Sequence, residues 1–146
     1  MRDIVIKRID VTTQAFFKAT RSMLAELYPG QPQLDRVSFD RVMADGGVEL
    51  HIACVDNVTA GMASLVHVRK LGGHVCMIED VFVLPAFRSF GVGSALNEVL
   101  CQLAKKYGSS FVDVLTRRPD ARAFYLRCGF EDKDKNRPHF ALRRYL

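Results

Sequence analysis

Apolar and polar positions recur along the chain with two different periods, and the changes of period divide it into elements. Val5, Ile6 and Ile9 among charged neighbours predict a short first strand. From Ala15 to Tyr28 apolar residues return at helical spacing, Thr12 or Thr13 can cap the first turn, and Pro29-Gly30-Gln31-Pro32 stops the helix. A second helix is predicted from Asp35 to Ala44, with Phe39, Val42 and Met43 on one side and Gly46-Gly47 beyond its end. The period then shortens to two. Val48 to Val55 and Val58 to Val68 read as strands around a compact Asp56-Asn57 turn, and after Leu71-Gly72-Gly73 a third strand runs from Val75 to Val83. Beyond Pro85 the helical spacing returns: Val92, Leu96, Val99, Leu100, Leu103 and Tyr107 share a face, and Gly108 suits the position after the last turn. Phe111 to Leu115 predicts a strand, Asp120 to Cys128 a short helix closed by Gly129, and Phe130 and the Phe140-Ala141-Leu142 region final strands.

This order predicts an α/β fold in one domain over residues 1–146. Its centre would be a mixed, twisted sheet of about six or seven strands flanked by about four helices, with parallel neighbours where strand, helix and strand succeed one another near the end.

Composition narrows the classes. With 49% hydrophobic residues the chain can bury a core, and 21 Lys and Arg against 16 Asp and Glu leave a net charge of +5 that invites an anionic partner. No segment approaches the roughly 18 uninterrupted apolar residues of a membrane span, and the first residues lack a secretory apolar run, so a cytoplasmic protein without membrane association is expected. No helix-turn-helix, aromatic RNA platform or basic tail supports a nucleic-acid partner. Cys54, Cys76, Cys101 and Cys128 form no CxxC pair, and the histidines lack ligand spacing, so no metal is expected. Asn57-Val58-Thr59 matches a glycosylation triplet but reads better as a turn.

The informative segment is Val81-Phe82-Val83-Leu84-Pro85-Ala86-Phe87-Arg88-Ser89-Phe90-Gly91-Val92-Gly93-Ser94-Ala95-Leu96. It joins a strand to an amphipathic helix through a loop with an arginine and two glycines. Glycines let backbone approach a ligand closely, and a helix N-terminus presents N–H groups and partial positive charge to an anion such as a phosphate. A dinucleotide fingerprint would need Gly or Ala where Leu96 stands, and no Gly-Lys-Ser/Thr follows, so neither the Rossmann nor the P-loop pattern applies.

Arg88-Ser89-Phe90-Gly91-Val92-Gly93 resembles the Arg/Gln-x-x-Gly-x-Gly/Ala pyrophosphate loop of the GNAT superfamily of acyl-CoA-dependent N-acetyltransferases. Ile78 to Val83 resembles that family's fourth strand, Ala121 to Phe130 resembles its Ala-x-x-Phe-Tyr-x-x-x-Gly-Phe segment, and the element order fits the whole chain. The stretch Arg118 to Arg127 looks like the corresponding part of aminoalkylphosphonate N-acetyltransferases, and Ile78 to Gly93 like that of polyamine acetyltransferases. The resemblance implies acetyl-CoA as co-substrate and a homodimer. The backbone of Val81, Phe82 and Val83 would take the pantetheine arm, and Arg88, Ser89, Phe90, Gly91, Val92, Gly93 and Ser94 the pyrophosphate. Ser89 departs from the glycine many members carry, and if that position needs a positive φ the departure costs stability. Arg118 stands where many members place an asparagine that contacts the cofactor; Arg117, Arg118, Arg122 and Arg127 could hold phosphates or form a solvated basic helix face.

Acetyl transfer to an amine needs a proton removed from an ammonium with a pKa of about 10.4, a donor for the oxyanion, and a proton for the departing thiolate. Tyr125 matches the family tyrosine that supplies the last, and Glu79 is the base candidate, directly or through water. The backbone N–H of Val81 is the oxyanion donor candidate. Strand alternation puts Glu79 on a face with Met77 and Val81, and Asp80 with Ile78 and Phe82, unless a bulge re-aims either. Direct attack in a ternary complex is expected, with Cys128 packing and not acting as nucleophile. The expected acceptor is a primary amine of a small molecule, anionic amines ranking above polyamines because a basic protein repels a polycation. A protein or peptide amine, or a non-catalytic acyl-CoA sensor, are the competing readings.

Overall fold

The computed structural model describes residues 2–133 and 141–146. They form two compact units, Met1–Val114 and Leu115–Leu146. The first contains β1 (Ile4–Arg8), α1 (Gln14–Leu27), α2 (Arg36–Ala44), β2 (Val48–Val55), β3 (Val58–Lys70), β4 (Gly73–Val83), a 3-10 turn (Pro85–Phe87), α3 (Val92–Lys106) and β5 (Val112–Val114). The second contains α4 (Pro119–Arg127).

Local chemistry sets the boundaries. Thr13 Oγ1 accepts from the Phe16 N–H at 3.2 Å and Asp35 Oδ1 from the Ser38 N–H at 2.7 Å, so α1 and α2 both start on a short polar side chain that satisfies an otherwise orphaned donor. Asp56 and Asn57 have φ of 49° and 65°, the double left-handed turn that matches the twist of a two-residue hairpin.

The five strands lie in sequence order, β1-β2-β3-β4-β5, antiparallel except for the last pair. The mixed sheet is as expected, but the described residues form fewer strands, five. Phe130 is not a strand because its N–H closes the end of α4, donating to Tyr125 O at 3.0 Å. Ala141–Leu146 are exposed and lack the buried face that would pin a register, while Phe140 lies outside the described residues.

Residue parity sorts the sheet's two faces. Leu50, Ile52, Met62 and Phe82 pack with Phe17 and Met23 of α1 and Phe39 of α2 in one core. The opposite face carries Leu65 and its neighbours Glu49 and Ile78, covered by α3, whose Leu96 and Leu100 are fully buried. On this face the buried Glu49 carboxylate accepts from Tyr107 Oη at 2.8 Å and pairs with Arg8. Removing one partner of such a group costs several kcal/mol, so the hub ties β1, β2 and the end of α3 together.

His51, two residues along β2, is 3% exposed and its Nε2 has no hydrogen-bond partner. Burial pushes its pKa below 6.5, against the attraction of Glu49. The folded chain therefore refuses a proton that the unfolded chain accepts, and stability is lost as pH falls from about 6.5 toward the lowered value. Urea midpoints should drop between neutral and mildly acidic pH, and His51→Gln should flatten that drop; parallel pH profiles for the two proteins would contradict this origin.

Candidate active site

The site is organised by a mismatch in length between two strands. Met62 lies opposite Phe82 and Ser64 opposite Glu79, so the single Ala63 of β3 faces both Asp80 and Val81 of β4. This is a β-bulge, and its first residue, Asp80, has a φ of 53°. Asp and Asn enter the left-handed region more readily than other residues with a Cβ, because their short side chains find local partners.

The extra residue inverts the alternation expected for β4. Ile78 stays on the α3 face, whereas Phe82 enters the α1/α2 core, so the predicted shared face of Ile78, Asp80 and Phe82 does not exist. The Asp80 carboxylate turns to α1, where Oδ1 accepts from Tyr28 Oη at 2.8 Å. Asp80 and Tyr28 both line a cavity of about 300 Å³ enclosed by α1, α2, their connection and β2–β4. Glu79 is half-buried beside it and does not line it. Burial, and then the neighbouring Asp80 charge, hold the Glu79 carboxyl above its ordinary pKa.

The outer edge of β4 opens at the same place. β5 pairs only with Cys76–Ile78, so among the described residues Glu79–Val83 have no strand neighbour on that side. The Leu84 N–H donates to Ala60 O at 2.8 Å, which fixes the edge facing β3; alternation then turns the backbone groups of Val81 and Val83 to the open edge. Arg88 Nε donates to Val83 O at 3.1 Å, so the arginine predicted at a pyrophosphate ties its loop to the strand end.

The loop from Arg88 leads directly into α3. Ser89 has a φ of 69° and Gly91, the residue before the helix, a φ of 85°. No side chain caps the first turn, and the first helical bond runs from the Ala95 N–H to Gly91 O at 2.9 Å. The N–H groups of Val92 and Gly93 therefore point out of the helix end, where the macrodipole favours an anion. Val92 anchors this turn in the core at 1% exposure, while Phe90 is exposed beneath the Arg2 guanidinium, 4.1 Å from the ring centre.

In the second unit, Tyr125 is buried with its ring edge-on to Phe124 and Phe130, at 5.1 and 5.4 Å. Arg118 precedes α4 and pairs with Asp120 at 2.6 Å, and Arg122 pairs with Asp132 at 2.6 Å, so two of the four candidate arginines already hold carboxylates. The structure thus brings Glu79, Val81, Phe82, Val83 and Arg88 to Ser94 together along one strand and loop. Asp80 and Tyr28 are the residues sequence reading missed: they are 52 positions apart, and only the bulge brings them together. Among the described residues no group of three or more His, Cys, Asp or Glu could hold a metal ion.

The family model described as "Acetyltransferase (GNAT) family" matches residues 14–130. The chain belongs to this GNAT family. A probable glucosamine 6-phosphate N-acetyltransferase 2 from Oryza sativa subsp. japonica is 40% identical over 62 residues, 42% of this GNAT chain and 37% of the rice protein. The match thus spans little more than a third of that curated relative's length. A solved structure titled a transcriptional regulator from Bacillus halodurans C-125 superposes with a TM-score of 0.80 at 25% identity, covering 99% of this chain and 100% of that one. AAC(6')-Iy in complex with the bisubstrate analogue CoA-S-monomethyl-acetylneamine superposes with a TM-score of 0.77 at 21% identity, covering 98% and 99% of the chains, a likeness of fold.

The left-handed Ser89 gives a direct test of the loop's geometry. Ser89→Gly should raise stability by about 1 kcal/mol, the usual cost of a Cβ in that region, seen as a higher urea midpoint. A lower midpoint would show that Ser89 is not strained there.

Proposed function

We propose that residues 1–146 act as one N-acetyltransferase domain that moves the acetyl group of acetyl-CoA to a primary amine of a small molecule by direct attack. The observation that carries this reading is the continuous backbone path from the open edge of β4 to the uncapped N-terminus of α3. Such a path offers strand-type hydrogen bonds to an amide-bearing arm and a cluster of N–H groups to the phosphates that follow it. The bisubstrate complex of AAC(6')-Iy, on the same fold, supports CoA as the group carrier.

In this reading the Val81 carbonyl and the Val83 N–H hold the pantetheine arm, Arg88 fixes the loop through Val83 O, and the Ser89 to Ser94 backbone takes the pyrophosphate. Arg118 would add a phosphate contact by exchanging Asp120 for it. Glu79 removes a proton from the ammonium, directly or through water. Its raised pKa makes it a better proton acceptor than an ordinary carboxylate. The Val81 N–H stabilises the oxyanion formed when nitrogen adds to the thioester carbonyl, and Tyr125 protonates sulfur as the carbon–sulfur bond breaks. No acyl-enzyme forms, and Cys128 stays outside the chemistry.

The name of the Bacillus halodurans structure supports a second reading, an acyl-CoA-binding regulator without turnover. Release of free thiol from acetyl-CoA across a panel of amines separates the two: the transferase shows amine-dependent release, the regulator binds and shows none. Tyr125→Phe should lower turnover by about 100-fold with acetyl-CoA affinity unchanged. The wild-type rate should fall as pH drops through a pKa above the ordinary 4.5 of a glutamate, and Glu79→Gln should remove that limb along with most of the activity. Unaltered turnover in either variant removes that residue from the mechanism, and parallel double-reciprocal plots would replace direct attack with an acyl-enzyme.

A further inference from the structure

The cavity between the sheet and the first two helices has a chemical character that none of the residues above explains. Its wall is mostly apolar, with Leu24, Leu34, Phe39, Met43, Leu50 and Met62 around about 300 Å³. Polar side chains interrupt it at Thr20, Tyr28, Gln31, Gln33 and Ser64, and one carboxylate stands among them. This is Asp80, set into the wall by the bulge and held by the Tyr28 hydroxyl.

We infer that Asp80 is the residue that binds the acceptor's ammonium, and that the acceptor is a compact primary monoamine with an apolar body. The inference rests on the transferase reading and assigns the substrate class of the same site. A carboxylate in a largely apolar recess binds one cation well, because little water competes for it there. The Tyr28 hydroxyl uses part of Oδ1 and fixes the group's orientation, leaving Oδ2 for a donor from the ligand.

The same wall disfavours other amines. Among the described residues the one other charged side chain on it is Arg21, which is exposed and stacks over the Phe17 ring at 5.2 Å. One exposed guanidinium beside an acidic recess is a poor match for a phosphosugar, and Gln31, Gln33 and Ser64 are too few partners for the many hydroxyls and ammonium groups of an aminoglycoside. A polyamine would bury its further ammonium groups against leucine and methionine. With Asp80 on the cavity wall, the inference ranks an apolar amine above the anionic amine suggested by net charge.

Division of labour between the two adjacent carboxylates follows. Asp80 lines the cavity and holds the cation, while Glu79 stands beside the cavity at the open edge, where the proton must go. This makes Asp80 a binding group whose loss raises KM, and Glu79 a chemical group whose loss lowers kcat.

The test uses the full chain with 2-phenylethylamine, isoamylamine, glucosamine 6-phosphate, kanamycin and spermidine as acceptors, with acetyl-CoA binding measured separately by calorimetry. The two apolar monoamines should show the highest kcat/KM. Asp80→Asn should raise their KM by about 10- to 100-fold, the factor for losing a charge-assisted hydrogen bond, with kcat and the KM for acetyl-CoA within about threefold. Asparagine tolerates the left-handed backbone and still accepts from Tyr28, so the fold is retained. Tyr28→Phe, which removes the hydroxyl that orients Asp80, should raise the same KM by a smaller factor and provides a second variant. Higher kcat/KM for glucosamine 6-phosphate or kanamycin, no turnover of the monoamines by a chain that binds acetyl-CoA, or an Asp80→Asn variant with normal KM, would each overturn the inference and leave the transferase reading in place. A chain that fails to bind acetyl-CoA would overturn both.

Discussion

One residue too many in β4 governs the site. Because a strand alternates its side chains strictly, an inserted position must either be expelled or reverse the faces of everything after it. Here the bulge at Asp80 and Val81 reverses them: Ile78 faces α3, and Phe82, four residues on, seals the α1/α2 core. The same irregularity turns Asp80 to Tyr28 and delivers the Val81 and Val83 backbone to the edge that β5 leaves uncovered. Core, cavity and open edge are thus three results of one local geometry. A site built this way resists piecemeal change, since straightening β4 would expose Phe82 as it withdrew Asp80.

The proposed anion site is made of backbone, and this changes the meaning of the chain's net charge of +5. Arg88 is spent on Val83 O, Arg118 on Asp120 and Arg122 on Asp132, so several of the arginines nearest in sequence to the family motifs serve the chain's own geometry. What faces the proposed phosphates is the end of α3, where a left-handed Gly91 starts the helix without a capping side chain. Small residues there matter more than cations, which fits a loop that bears Ser, Gly, Gly and Ser within six positions.

Much of the fold was legible because it is local. Hydrophobic periods located all four helices and five strands to within a few residues, and the Asp56-Asn57 turn and the Thr13 and Asp35 positions carried their own chemical signatures. Phe130 departs from the predicted strand because its N–H is claimed by the α4 end. The motif residues from Glu79 to Ser94 were legible through their spacing. The Asp80–Tyr28 contact was not, since a bulge depends on the register between two strands, and register has no signature in either strand alone. Nor could the sequence show that Glu79 is left beside the cavity while Asp80 lines it, because simple alternation groups Asp80 with Ile78, which faces α3.

On the reading proposed above, the open edge of β4 and the uncapped end of α3 form one continuous site for CoA. Amide hydrogen exchange of the full chain, with and without saturating CoA, measures this directly. Slowed exchange is expected at Val83, Val92 and Gly93 on binding, with little change along β2. CoA binding that leaves these amides unaltered, or protects a different set, would contradict it.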